Sequence, residues 1–180
     1  MEINFQKNVK RSNQTGFTLV EVLVVISIIG ALAGIMVPTI KGAMEAGKKA
    51  KAKGEENAIV AAVKAYKQEY GRWPGSTFTS DTTYQGGQSM QLLAALSGSN
   101  SPTVENPKSV RFLEGAQSNG TMLDPWGTQY LVLIDSDDSN SLNYQSKTAA
   151  ISVLAVSFGK DKKQDATPGS GDDVFSTDLK

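Results

Sequence analysis

The strongest hydrophobic pattern in the chain runs from Gly16 to Pro38. The 21 residues from Phe17 to Val37 are almost entirely apolar, and Glu21 is the only ionisable residue among them. As a helix rising 1.5 Å per residue, this stretch would be about 31 Å long, enough to cross the hydrocarbon core of a bilayer. A single carboxylate inside such a segment is costly to bury, so Glu21 requires a partner or a function.

The helix is predicted to continue beyond Pro38. Residues 39–70 are rich in Ala, Lys and Glu, which favour helix, and their apolar positions recur at helical spacing. Pro38 lacks an amide hydrogen, so a kink or local melting is expected there. We expect one helix of about 54 residues that ends at Gly71, before Pro74. Its second half should face a core with one apolar stripe: Ile59, Ala62, Val63, Tyr66 and Tyr70.

The rest of the pattern predicts a small antiparallel sheet. A polar loop extends to about Gln88, a short helix covers 90–96, and residues 108–113 form an extended piece. Strands are predicted at 130–134, 141–144 and 149–158, where β-branched and aromatic residues cluster. The fold class is therefore α+β: a long N-terminal helix packed on three or four antiparallel strands.

Composition removes several classes of function. The chain has no Cys and no His, which excludes Cys–His and Ser-His-Asp catalysis and zinc sites built on these residues. Lys plus Arg and Asp plus Glu are both 18, so the basic surplus of a nucleic-acid binder is missing. Five lysines follow the apolar run, either as a solvated helix face or as a contact for lipid head groups: Lys41, Lys48, Lys49, Lys51 and Lys53.

The first 16 residues are polar and carry Lys7, Lys10 and Arg11, as in a leader before a hydrophobic segment. An ordinary signal peptide is one interpretation, because Ala31 to Ala33 offers a cleavage site before Gly34. Glu21 and the length of the apolar run argue against it. The basic residues on both sides of the segment do not decide its orientation.

The junction Gly16-Phe-Thr-Leu-Val-Glu21 resembles the leader junction of type IV pilins and type II secretion pseudopilins. In that family a dedicated prepilin peptidase cuts after the Gly, the new N-terminal Phe is N-methylated, and a Glu stands fifth in the mature chain. The resemblance assigns these roles to Gly16, Phe17 and Glu21, and it implies that Glu21 pairs with the Phe17 amine of a neighbouring subunit. Pro38 also stands where the family often has Pro.

A second resemblance lies at Asp124-Pro-Trp-Gly127, followed by Tyr130. This motif is typical of the major pseudopilin of type II secretion. Asp124-Pro125 favours a turn and Gly127 permits positive φ, so Trp126 can fold onto the long helix. Together the two resemblances imply a leader (residues 1–16), a hydrophobic transmembrane or stem helix (17–38) and a periplasmic pilin-like domain (39–180).

The acidic C-terminal stretch is the candidate metal site. In the major pseudopilin family, a Ser-x-Gly-x-Asp start and a Gly-Asp/Asn-x-Asp-type end enclose a calcium-binding loop after the last strand. The pattern fits loosely, since Lys162 and Lys163 stand where the family has Gly. The resemblance implies calcium, with a solvated acidic tail as the alternative, and its side-chain ligands would be Asp161, Asp172 and Asp173.

A second oxygen-rich segment, 135–140, is either another cation site or a hydrophilic turn.

The resemblance implies a structural, non-enzymatic subunit of a periplasmic pseudopilus. Its expected partners are like subunits, minor pseudopilins, the prepilin peptidase and an assembly platform in the inner membrane, where the subunit would reside before assembly. One alternative is a type IV pilin for adhesion or motility, although many such pilins close their tail with a disulfide and this chain has no Cys. Another is a secreted calcium-binding domain released after Ala33.

Overall fold

The computed structural model describes residues 16–75, 80–145 and 147–177. Apart from Gly16, the predicted leader lies outside the described residues. The chain divides into two compact units, Met1–Ala43 and Met44–Lys180. One long helix, α1 (Leu19–Tyr70), contributes residues to both units. It continues through position 38, as predicted, without the local melting expected there, and a kink at that position stays a prediction. The helix ends where Gly71, at φ 68°, donates its amide to the Lys67 carbonyl at 2.8 Å.

The first unit exposes its apolar side chains. From Leu19 to Ile40 the large hydrophobic residues of α1 are exposed, from 48 % for Val24 to 80 % for Leu19. An 18-residue window of α1 has a mean hydropathy of 2.6, and none of it is buried. By length and composition, this part of α1 could cross a membrane.

The second unit contains a four-stranded antiparallel sheet in the order β1-β2-β5-β6. Its strands are β1 (Thr82–Tyr84), β2 (Leu131–Ile134), β5 (Val153–Ser157) and β6 (Val174–Phe175). A separate hairpin pairs β3 (Leu142–Tyr144) with β4 (Lys147–Ala149). In the central pair β2–β5, Leu131 lies opposite Val156 at one end and Ile134 lies opposite Val153 at the other.

Both faces of the central strands are buried. Alternate residues Val132, Ile134 and Ala155 pack in one cluster with the predicted stripe of α1, in which Ile59, Ala62, Val63 and Tyr66 are buried and Tyr70 is partly buried. The opposite face forms a second cluster, in which Leu131, Leu133, Leu154 and Val156 pack with Leu142 and Tyr144 of the β3–β4 hairpin. The hairpin therefore covers the face of the sheet that α1 leaves open. The predicted α+β fold is confirmed.

Several predicted elements needed correction. Helix α2 spans Gly87–Leu96, three residues longer than predicted at its start. Residues 108–113 join no strand of the described chain; the amides of Phe112 and Leu113 both donate to the carbonyl of Leu96, the last residue of α2. The predicted strand 149–158 is two elements, since β4 pairs with β3 and only Val153–Ser157 joins the main sheet. Strands β1 and β6 lie in segments predicted to be irregular.

Candidate assembly and metal sites

The N-terminus of α1 carries a reciprocal capping arrangement around Glu21. The Thr18 amide and the Thr18 hydroxyl each donate to Glu21 Oε2 at 2.8 Å, and the Glu21 amide donates to Thr18 Oγ1 at 3.2 Å. This is a capping box, which satisfies amides that the first helical turn leaves free. Both bonds to the carboxylate use Oε2, so Oε1 has no hydrogen bond among the residues that the structure describes. Glu21 can therefore cap its own helix and still accept a second donor.

Gly16 and Phe17 precede this cap in a non-helical segment, and Phe17 is 84 % exposed. The predicted processing junction is thus outside the helix and accessible. Thr18 was not singled out from the sequence, although the spacing Thr-x-x-Glu before an apolar run is the known signature of such a cap.

Three carboxylates converge in the loop between β5 and β6. Oxygens of Asp161, Asp165 and Asp172 all lie within 4.8 Å of one another. Two of these residues were predicted ligands, and Asp165 was not. The third predicted ligand, Asp173, faces Asp165: its Oδ2 accepts the Asp165 amide at 3.0 Å, and its own amide donates to Asp165 Oδ2 at 3.2 Å.

Two glycines make the close approach of these groups possible. Gly159 has a φ of 63°, and a Cβ there would lie 2.3 Å from the Asp172 carbonyl oxygen. A Cβ at Gly171 would lie 2.1 Å from Asp165 Oδ1. Neither position can hold a larger residue without moving a group of the acidic cluster, namely the Asp172 backbone at Gly159 and the Asp165 carboxylate at Gly171.

The donor chemistry of this loop fits a hard cation. All three converging side chains carry carboxylates, the kind of oxygen donor that Ca²⁺ prefers. The Oδ1 atom of Asp173 is buried and has no hydrogen-bond partner among the described residues. Burial, and then the nearby carboxylates of Asp165, Asp172 and Asp161, raise the pKa of Asp173 to about 6. Unpaired negative charge of this kind is what a bound cation would neutralise.

A second acidic group lies at Asp81, Asp135 and Asp137, whose oxygens also come within 4.8 Å of one another. Asp135, only 2 % exposed, accepts from Ser139 N at 3.0 Å and from Asn140 N at 2.8 Å, using one oxygen for each. Both of its oxygens therefore accept amides of the 135–140 turn, and a second cation at this segment stays a prediction.

The Asp124-Pro-Trp-Gly turn joins α1 to the end of β5. Asp124 Oδ1 accepts the amides of Trp126 at 3.0 Å and Thr128 at 2.7 Å, and Asp124 Oδ2 accepts the Ser157 hydroxyl at 2.5 Å. The indole of Trp126 packs toward the helix as predicted and donates to Glu45 Oε1 at 3.0 Å.

Glu56 of α1 is fully buried beside this turn. Its Oε1 accepts the Ser157 amide at 3.0 Å, and Oε2 has no partner among the described residues. Burial raises the pKa of Glu56 to about 8; the Ser157 amide and Lys53 oppose this rise, while Asp124 and Asp173 add to it. Periodicity could have indicated its burial, because Glu56 precedes Ile59 by three positions on the same helical face.

Comparison with known proteins identifies the family. A profile of the prokaryotic N-terminal methylation motif matches residues 11–37. The type II secretion system core protein G of Aeromonas hydrophila is 37 % identical over 125 residues, covering 69 % of this chain and 76 % of that protein. The core protein G of Vibrio cholerae serotype O1 is 34 % identical over 128 residues, covering 71 % and 76 %.

The core protein G of Klebsiella michiganensis aligns over 165 residues at 28 % identity, covering 92 % of this chain and 94 % of its own length. No solved structure matches the chain. With the N-terminal methylation motif and relatives above 30 % identity along most of their length, the chain belongs to the type II secretion system core protein G family.

Proposed function

We propose that this chain is the structural subunit of a periplasmic pseudopilus, which polymerises through α1 to drive export of folded proteins across the outer membrane. The position of Glu21 at the start of the exposed apolar segment is the observation that supports this proposal. It is the only ionisable residue between Phe17 and Ile40, and it heads the part of α1 whose large apolar side chains are exposed. Exposed apolar surface of this extent requires a partner, either lipid or other copies of the helix.

Cleavage after Gly16 would free an amine on Phe17, directly before the capping box. Glu21 Oε1 is available for a further donor, so the amine of a neighbouring subunit can pair with it while Oε2 keeps its bonds to Thr18. Such pairing offsets the cost of placing each charge in an apolar surrounding. In a lipid bilayer Glu21 would lack this partner, which favours transfer of the subunit into the fibre.

Before assembly, the apolar part of α1 would hold the subunit in the inner membrane, with residues 39–180 in the periplasm. Prepilin peptidase would process it there, and an assembly platform would add it to a fibre that also contains minor pseudopilins. A structural role agrees with the absence of His and Cys from the chain.

The mature N-terminus tests this proposal most directly. Mass spectrometry of the protein from its native envelope should find a chain that starts with N-methylated Phe17. A chain starting at Gly34 would contradict the proposal and support release by signal peptidase. Electron microscopy of assembled subunits then separates a periplasmic pseudopilus from a surface pilus used for adhesion or motility.

We also propose that the β5–β6 loop binds calcium. Asp161, Asp165 and Asp172 would supply carboxylate oxygens, and Asp173 supports the site through its bonds to Asp165. Bound calcium would neutralise the mutual repulsion of these carboxylates and stiffen the loop next to β6. Chelator should lower the melting temperature of the protein and calcium should restore it, whereas an unchanged melting temperature would count against the site.

A further inference from the structure

Glu56 is the one residue of α1 whose carboxylate is completely buried in the described part of the chain. It makes a single hydrogen bond there, from the Ser157 amide to Oε1 at 3.0 Å. Its other oxygen, Oε2, is buried without a partner. A buried carboxylate with one free oxygen is costly, and an apolar residue would pack at this position without that cost. Packing alone therefore does not explain a glutamate at position 56, and its hydrogen bond to the Ser157 amide is the property to account for.

Ser157 is the last residue of β5 and is itself fully buried. A buried backbone amide must find an acceptor, and Glu56 provides it from another element of the fold. The Ser157 hydroxyl donates to Asp124 Oδ2 at 2.5 Å, so Ser157 is held by two carboxylates, one on α1 and one on the Asp-Pro-Trp-Gly turn.

The acidic loop starts directly after this point. The Gly159 amide donates to Ser157 Oγ at 3.3 Å, and Gly159 lies so close to Asp172 that a Cβ would collide with the Asp172 carbonyl. The amides of Lys160 and Asp161 both donate to Asp172 Oδ2. The direction in which the chain leaves Ser157 thus determines where Asp161 meets Asp172.

We propose that Glu56 is a positioning residue of the acidic loop: by accepting the Ser157 amide it sets the exit of β5, so that Asp161, Asp165 and Asp172 converge on one cation. This inference rests on the calcium site proposed above. Glu56 does not touch the cation; it acts through Ser157 and Gly159. The hydrogen-bond acceptor, rather than the negative charge, is the property that the loop needs.

The full chain in detergent micelles allows a test with two variants at one position. Glu56→Gln keeps a side-chain oxygen for the Ser157 amide, whereas Glu56→Leu removes it at similar size. Calcium titration calorimetry gives the dissociation constant, and amide hydrogen exchange of metal-free protein reports on the Ser157 bond. We expect Glu56→Gln to bind calcium within about threefold of the parent chain, and Glu56→Leu to bind roughly tenfold or more weakly with faster exchange at Ser157.

Val63→Ala serves as the control, because Val63 is a fully buried core residue of the same helix. It should lower stability and leave calcium affinity unchanged, which separates positioning from general destabilisation. Equal calcium affinity in Glu56→Leu and the parent chain would overturn the inference and leave the calcium site intact. Equal weakening of calcium binding in Glu56→Gln and Glu56→Leu would show that the loop does not depend on the hydrogen-bond acceptor at position 56, and would overturn the inference.

If the parent chain binds no calcium, the calcium proposal fails and the inference fails with it. A measurement on the parent chain covers the case in which Glu56→Leu does not fold. The Ser157 amide of metal-free protein should exchange as slowly as the amides within β5. Exchange at the rate of an open loop would show that Glu56 does not hold the strand end, and would overturn the inference without any variant.

Discussion

The indole N–H of Trp126 donates a 3.0 Å hydrogen bond to Oε1 of Glu45, joining residues 81 positions apart. Trp126 is 9 % exposed, whereas Glu45 is half-buried, so the bond is shielded from water mainly on the indole side. This bond connects the Asp-Pro-Trp-Gly turn to α1. Asp124 connects the same turn to β5, because its Oδ2 accepts the Ser157 hydroxyl. The turn therefore links the helix to the strand that leads into the acidic loop.

Replacing Trp126 by Phe should lower the free energy of unfolding by about 1 to 3 kcal/mol. The hydrogen bond from the indole N–H is lost, and the carboxylate of Glu45 is left without that donor. Denaturant unfolding in detergent micelles measures the loss. Glu45→Gln retains an acceptor oxygen and should cost less. Equal stability of Trp126→Phe and the parent chain would show that the indole N–H contributes nothing.

The buried carboxylate of Glu56 should make stability depend on pH. Its pKa is raised from 4.5 to about 8 in the fold, so between these values the folded state binds more protons than the unfolded state. The contribution of Glu56 to the free energy of unfolding is therefore greatest below about pH 4.5 and falls as pH rises toward 8, by on the order of 5 kcal/mol in total. Denaturant unfolding in chelator from pH 6 to 8.5 measures the upper part of this fall.

Glu56→Gln should remove most of that pH dependence and should be more stable than the parent chain at pH 8.5. Val63→Ala supplies the comparison, since it introduces no titrating group and should lower stability at each pH while the slope remains. A parent chain whose stability is flat from pH 6 to 8.5 would contradict the assignment.

The elements predicted well from sequence are those with a local pattern. The stripe Ile59, Ala62, Val63 and Tyr66 follows helical spacing, and packing confirms it. Trp126 was expected to fold onto the helix because turn chemistry at Asp124-Pro125 and Gly127 restricts the chain to few conformations. In each case the residues that decide the structure are neighbours in sequence.

The missed elements depend on distant partners. Strand β1 has only three residues, too few to show alternation, and it forms because Thr82 to Tyr84 pair with β2. Asp165 joins Asp161 and Asp172 only because Gly171 lets its carboxylate approach, a contact that no spacing rule contains. The sequence predicts a strand that includes Ser157, but the place of Ser157 between Glu56 and Asp124 depends on three elements that are distant in sequence.

Asp165→Asn should weaken calcium binding more than Asp173→Asn does. Asp165 offers an oxygen to the cluster with Asp161 and Asp172, whereas the carboxylate of Asp173 accepts the Asp165 amide and holds the loop in place. Asp172→Ala should abolish the calcium-dependent rise in melting temperature. Calorimetric titration of each variant gives the order, and Asp138→Asn, which alters a contact with Lys67 and Trp73 instead, should leave calcium affinity unchanged. Stronger loss in Asp173→Asn than in Asp165→Asn would reverse our ligand assignment.

Glu21→Gln should prevent fibre assembly and leave the start of α1 intact. The amide oxygen of Gln can still accept from Thr18, so the cap is retained, but the negative charge that would pair with the Phe17 amine is gone. We expect normal processing at Gly16, shown by the mass of the mature N-terminus, with at least about a tenfold loss of fibres in electron micrographs, since an ion pair formed away from water is replaced by an unpaired amine.

Ser27→Ala is the matched control for Glu21→Gln. Ser27 is a polar side chain of the apolar segment that lies outside the capping box, and its hydroxyl donates to the Leu23 carbonyl of its own helix at 2.8 Å. Removing it changes no charge and should leave fibre yield at the parent level. Because both variants remain inserted through the same apolar run, a difference between them isolates the charge of Glu21; parent-level fibres from Glu21→Gln would refute the proposed pairing.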